Sequence, residues 1–197
     1  MAATTIRYLR STGALPAAEP VEALPRPDLR AVREDERLPL DPGEFRRVLG
    51  HFASGVTVIT ATTPDGIPVG FACQSFASLS LDPPLIAFMV ARTSTTWPKI
   101  AEAGSFCVNI LGAHQGELCR GFAVSGADKF AGVTFDAAPV SGAPRLAEVP
   151  AWLDCRIHAV HTGGDHLIVV GRVNALGAEE QGEPLLFHQG KFGQFIR

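Results

Sequence analysis

Apolar and polar positions divide the chain into a long unpatterned start and a strongly patterned remainder. In "LDPGEFRRVLGHFASG" (40–55), Phe45, Val48, Leu49 and Phe52 recur at helical spacing. Asp41 suits the N-cap, Pro42 the first helical position and Glu44 the capping box, so a helix is expected from there to Gly55. Then "VTVITATT" (56–63) reads as a strand, "PDG" (64–66) as a turn and "IPVGFAC" (67–73) as the returning strand. Further strands are expected over 84–91, 105–111, 151–160 and 165–176. "TGGD" (162–165) joins the last two as a hairpin, and helical stretches lie at 96–103 and 113–123. Many short β-branched strands linked by hairpins, with few helices between them, predict a closed antiparallel barrel with peripheral helices. A doubly wound sheet needs a helix after nearly every strand, and neither G-x-G-x-x-G nor a P-loop occurs.

Composition sharpens the boundary. Residues 1–40 hold five of the fifteen prolines, six arginines, six acids and one aromatic residue, with at most a short exposed helix over 30–38. They read as a loosely ordered extension before a single domain over 41–197, or as an arm that wraps a partner subunit. At 46% hydrophobic residues a core is within reach, and a net charge of −3 argues against nucleic acid as the main partner. No apolar run is long enough to span a bilayer, and no secretory h-region opens the chain. Cys73, Cys107, Cys119 and Cys155 show irregular spacing, so reduced, buried thiols in a cytoplasmic protein are expected.

Two stretches carry most of the hydroxyls: "CQSFASLS" (73–80) and "RTSTTWPKI" (92–100). Ser94, Thr95 and Thr96 precede a helix, where hydroxyls and free N–H groups suit a phosphate. Plain N-capping explains one of the three equally well. Gln74 and Ser75 follow a strand that Gly70 and Ala72 leave unobstructed, as a flat heterocycle or a polyol requires. Close packing of a Gly/Ala strand against a helix accounts for the same residues. His158, His161 and His166 invite a metal reading, but strand alternation points 158 and 161 to opposite faces, so no metal is expected.

"FRRVLGHFASGVTVIT", "PVGFACQSFASLSLDPPL", "STTWPKIAEAGSFCVNIL", "DKFAGV", "GGDHLIVVGRV" and "PLLFHQGKF" together resemble the flavin reductase family with the FMN-binding split β-barrel. The likeness covers about residues 41–195 and is strongest to reductase components that serve hydroxylases of phenolic and steroid-derived rings. The resemblance implies reduction of FMN (or FAD) by NADH or NADPH, release to a separate flavin-dependent monooxygenase, and a homodimer. It implies that Pro68, Val69, Gly70, Phe71, Ala72, Gln74 and Ser75 line the ring and ribityl chain. Val90 and Ala91 then flank the ring, Ser94, Thr95 and Thr96 hold the phosphate, and Phe122 and Lys129 lie over the flavin. A solvated surface lysine is the other reading of Lys129. Gly164, Asp165 and His166 match the family's nicotinamide-side triplet, with His166 positioning the dinucleotide rather than moving protons. The family often has Tyr with Arg where this chain has Phe187, His188 and Lys191. A split-barrel protein that binds flavin or haem without catalysis is the alternative.

Overall fold

The computed structural model describes residues 40–124, 126, 128–179 and 182–195. The expected extension, apart from Leu40, lies outside them. Helix α1 (Pro42–Leu49) starts as the sequence requires, with the Glu44 N–H donating to Asp41 Oδ1 at 2.8 Å. It ends earlier than expected. The chain turns at Gly50, whose carbonyl accepts from Gln189 N at 3.0 Å. Gly55 is therefore not a helix end. It lies in strand β1 (Ser54–Gly55), which pairs with β11 (Leu186–His188), itself paired with β12 (Lys191–Gly193).

The main sheet is antiparallel and seven-stranded. It contains β2 (Thr57–Thr62), β3 (Pro68–Cys73), β4 (Phe76–Leu81), β5 (Pro84–Ala91), β6 (Ser105–Ile110), β9 (Ala151–Gly163) and β10 (His166–Ala178). A small hairpin of β7 (Phe135–Ala137) and β8 (Pro144–Leu146) stands beside it. The order in the sheet is β3-β2-β6-β9-β10-β5-β4, so β3 and β4 are its two edges. Laid flat, those edges would be about 29 Å apart. Yet only Gln74 and Ser75 separate Cys73 from Phe76, a link that reaches about 11 Å at most. The sheet must roll until its edges meet at this corner. There Met89 N donates to Ser75 O at 3.0 Å. The expected closed barrel is thus a rolled sheet whose seam is joined by the chain itself.

The sequence reading missed β4. Its alternating small polar residues looked like ligand groups, but Phe76–Leu81 is an edge strand paired with β5, with a register shift between Ser78 and Ser80. Alternation fits an edge strand because one face stays open.

Inside the roll, Phe88 is fully buried and meets Phe71, Trp97 and Phe106 with ring centroids 6.1, 6.1 and 5.3 Å away. Trp97 and Ile100 come from α2 (Trp97–Ala103), which plugs this core. A second core forms on the outer side of β2 and β3, where α3 (Gly116–Ala123) contributes Cys119 and Phe122. All four cysteines are buried and unpaired. Burial pushes the Cys73 thiol up to about 11 and that of Cys107 up to about 12, so neither is a thiolate near neutrality.

Candidate active site

Strand β3 sends Val69, Phe71 and Cys73 into the barrel core. Pro68, Gly70 and Ala72 therefore face α3. At Gly70 a Cβ would lie 2.9 Å from Phe122 Cε1 and 3.0 Å from Ile59 O, so only glycine fits. The Phe122 ring, 1% exposed, occupies that space. This corrects the expectation that Gly70 leaves room for a ring and that Phe122 covers it. The pair is a packing contact that sets how close α3 comes to β3.

On one side of this contact lies a cleft of about 410 Å³, within the ~300–1,000 Å³ range of small-molecule sites. Pro68, Val69 and Gly70 form one wall, Thr95, Thr96 and Lys99 another, and Lys129 and Phe130 a third. Two segments far apart in sequence, 68–70 and 95–96, are thus brought together in one cleft.

The start of α2 resolves an ambiguity in the sequence. Ser94 Oγ accepts from Trp97 N at 3.2 Å and does the capping. Thr96 occupies the N-cap position but makes no side-chain cap bond. Among the described residues, the hydroxyls of Thr95 and Thr96 make no hydrogen bond, and both line the cleft. Ser94 is thereby assigned to the helix, and the two threonines line the cleft.

Lys129 is not the solvated surface lysine of the alternative reading: it lines the cleft and is tied to the backbone. Its ammonium donates to Gly70 O at 3.2 Å and to Phe122 O at 3.0 Å, tying β3 to the end of α3. An ammonium has three donors, so one remains for the cleft. Partial burial lowers the Lys129 pKa from the usual lysine range. Lys99 was missed by sequence reasoning. It stands three residues after Thr96 on the same face of α2, a spacing that marks it in retrospect.

The remaining expected residues lie elsewhere. Gln74 and Ser75 form the exposed corner, and Gln74 with Ala72 lines a neighbouring groove with Phe187 and Phe192. Val90 is 4% exposed in the inner core, so its side chain does not reach a ligand, contrary to expectation. Ala91 pairs with His166, and Arg92 N donates to Asp165 O at 3.0 Å. The tip of the β9–β10 hairpin thus sits beside the loop that leads to Thr95. Gly164, at φ +71°, makes the turn. His166 Nδ1 and Asp165 Oδ1 are 2.7 Å apart on the exposed tip. This hydrogen bond, with the charge of His166 and a smaller contribution from Arg46, holds the Asp165 carboxyl below its usual range. The His166 side chain is half-buried and that of Asp165 exposed.

The family described as the flavin reductase like domain matches residues 49–195. The chain belongs to this family. The reductase subunit of a flavin-dependent monooxygenase, HsaB, from Rhodococcus jostii (strain RHA1) is 48% identical over 153 residues, which are 78% of this chain and 77% of that protein. A flavin reductase from Pseudomonas putida is 45% identical over 166 residues, 84% of this chain and 97% of its own. Among solved structures, the Streptomyces globisporus C-1027 NADH:FAD oxidoreductase SgcE6, in complex with NAD and FAD fragments, superposes with a TM-score of 0.76. It is 36% identical, covering 79% of this chain and 93% of that one. The clefts along β3 are therefore the site to weigh in a flavin reductase.

Proposed function

We infer that the protein is an NAD(P)H:flavin oxidoreductase that reduces FMN or FAD and passes it to a separate monooxygenase. The family match and the reductase relatives support this reading. Within the chain, one observation carries most weight: Ser94 caps α2, leaving Thr95, Thr96 and the ammoniums of Lys99 and Lys129 around one cleft. Neutral hydroxyl donors plus flexible cations suit a phosphate monoester, so this donor set fits the terminal phosphate of a flavin nucleotide.

When bound, a flavin supplies a ring nitrogen that accepts hydride from the nicotinamide carbon of a dinucleotide stacked on it. The chain's task is to hold both partners and exclude alternatives. Thr95 and Thr96 anchor the phosphate. Lys129 adds charge there while fixing the β3 wall. The edge of β3 presents backbone N–H and C=O groups to the heterocycle. The Asp165–His166 tip positions the dinucleotide, with no proton to move in the hydride step. His166→Ala is expected to keep flavin affinity and to lower the NADH-dependent rate by about tenfold, the cost of misplacing one reactant. Equal flavin affinity and an unchanged rate in stopped-flow reduction would remove His166 from the mechanism.

The decisive experiment adds NADH anaerobically to the protein with FMN and follows the flavin absorbance. Bleaching at a catalytic rate is the expected result. A bound flavin that stays oxidised supports the non-catalytic alternative.

Homodimerisation is part of the same proposal. Phe45, Val48, Leu49 and Phe52 of the α1 segment are 55, 53, 55 and 78% exposed, and Leu79 and Leu81 on edge strand β4 are 54 and 84% exposed. Apolar side chains displayed this openly favour a covering partner. A two-fold dimer is expected in sedimentation, with Leu81→Glu shifting it toward monomer. A monomer at micromolar concentration in the unmodified protein would contradict the proposal. Unpaired cysteines and the absence, among the described residues, of any helix fit to cross a membrane suit the cytoplasm.

A further inference from the structure

Strand β3 is an edge of the main sheet, and the direction of its backbone groups follows from the turn that precedes it. Thr63 N donates to Ile67 O at 2.9 Å, which closes the β2–β3 hairpin and sets its ladder. Bonded and non-bonded pairs alternate from there, so Val69, Phe71 and Cys73 bond to β2. Gly70 turns its N–H and C=O the other way, to the open edge. Its carbonyl is the acceptor that a ring N–H arriving along this wall of the cleft would meet.

That acceptor is already engaged. Lys129 Nζ donates to Gly70 O at 3.2 Å and to Phe122 O at 3.0 Å. Both acceptors are neutral, and Lys129 makes no ion pair among the described residues. Thr95, Thr96 and Lys99 line the same cleft of about 410 Å³, so an anion held by them shares it with the Lys129 ammonium. Coulomb attraction favours a phosphate over a neutral carbonyl as the partner of that ammonium. The bond to Phe122 O, the shorter of the two, tethers the side chain while its other partner changes. A flavin nucleotide thus makes two demands on one residue: its phosphate attracts the ammonium, and its ring needs the oxygen the ammonium covers.

We propose that Lys129 couples the two ends of the ligand: phosphate in the cleft draws its ammonium off Gly70 O, and the freed carbonyl accepts the ring N–H. Binding of the anion and binding of the heterocycle then strengthen each other through one side chain. A heterocycle without a phosphate has to displace the ammonium unaided. The proposal rests on the reading of this cleft as the flavin site.

The test divides the ligand in two. Lumiflavin supplies the ring without a ribityl chain, and inorganic phosphate supplies the anion. Lumiflavin affinity of the unmodified protein is read from fluorescence quenching in saturating phosphate and in sodium chloride of equal ionic strength. Phosphate should tighten lumiflavin by about three- to tenfold, the scale of one hydrogen bond no longer competed for. Lumiflavin should tighten phosphate by the same factor. Lys129→Met, which has no donor, should weaken FMN by about tenfold, the scale of a lost charge-assisted bond, and circular dichroism checks its fold. The same variant should bind lumiflavin more tightly than the unmodified protein and lose the phosphate effect. Lys129→Arg keeps the charge and should keep the effect. Lumiflavin affinity that phosphate does not raise overturns the proposal. So does a Met variant that weakens FMN and leaves lumiflavin unchanged, which makes Lys129 a phosphate contact alone. Equal weakening of FMN and lumiflavin makes it a structural tie and likewise overturns the coupling. A protein that shows the linkage but does not oxidise NADH sinks the reductase reading and leaves the coupling standing.

Discussion

Replacing Thr95 and Thr96 together with alanine is expected to weaken FMN by about two decades while leaving riboflavin within a few-fold. Each hydrogen bond to a charged group contributes about 1.5–3 kcal/mol, so two lost bonds span roughly two to four decades. The lower end applies because Thr95 is exposed and water replaces part of what is lost. Riboflavin lacks the phosphate, so general damage to the fold would lower both affinities and cancel in the ratio. Neither hydroxyl supports the helix, because Ser94 performs the capping. Ser94→Ala should show the opposite pattern: a stability loss of about 1 kcal/mol and a similar fall for both flavins. Equal loss of FMN and riboflavin in the double threonine variant would place the phosphate elsewhere.

Phe122→Ala is expected to cost about 3–5 kcal/mol of folding stability, read from denaturant midpoints. The ring is 1% exposed, packs edge-on against Phe130 at 5.1 Å and fills the space above Gly70. Its loss leaves a cavity between α3 and β3 that a Gly70→Ala substitution would not refill freely, because the added Cβ would still lie 3.0 Å from the backbone Ile59 O. Flavin affinity should fall only as far as the Lys129 anchor moves, since Lys129 holds the Phe122 and Gly70 carbonyls. A Phe122→Ala protein of unchanged stability with abolished flavin binding would make the ring a ligand contact after all.

These two outcomes mark what a one-dimensional reading can reach. The strands over 56–63, 67–73 and 84–91 were visible because β-branched runs and turn residues are local signals. So was the α1 cap, in which Asp41 and Glu44 are three residues apart. The pairing of 68–70 with 95–96 came through family resemblance, since no spacing encodes it. Phe122 and Val90 were misplaced because a residue's solvent exposure depends on what packs against it across the fold. Lys129 looked like a free charge because its two acceptors are backbone carbonyls, which carry no sequence signature. The end of α1 was misread because Gly50 and Gly55 are equally good stops, and the choice is made by Gln189, which bonds the Gly50 carbonyl.

The corner at Gln74–Ser75 has a further consequence for how the protein would respond to a protease. The link is exposed on both residues, as nicking sites usually are. A cut there would leave an N-terminal fragment hydrogen-bonded to the rest through β2 with β6 and β1 with β11. The two pieces would therefore stay together in a native gel and part only in denaturant. The edges of β3 and β4, no longer tethered, would be free to spread. The nicked protein would be a barrel with its seam unpicked: intact in mass, altered only where the flavin is proposed to lie.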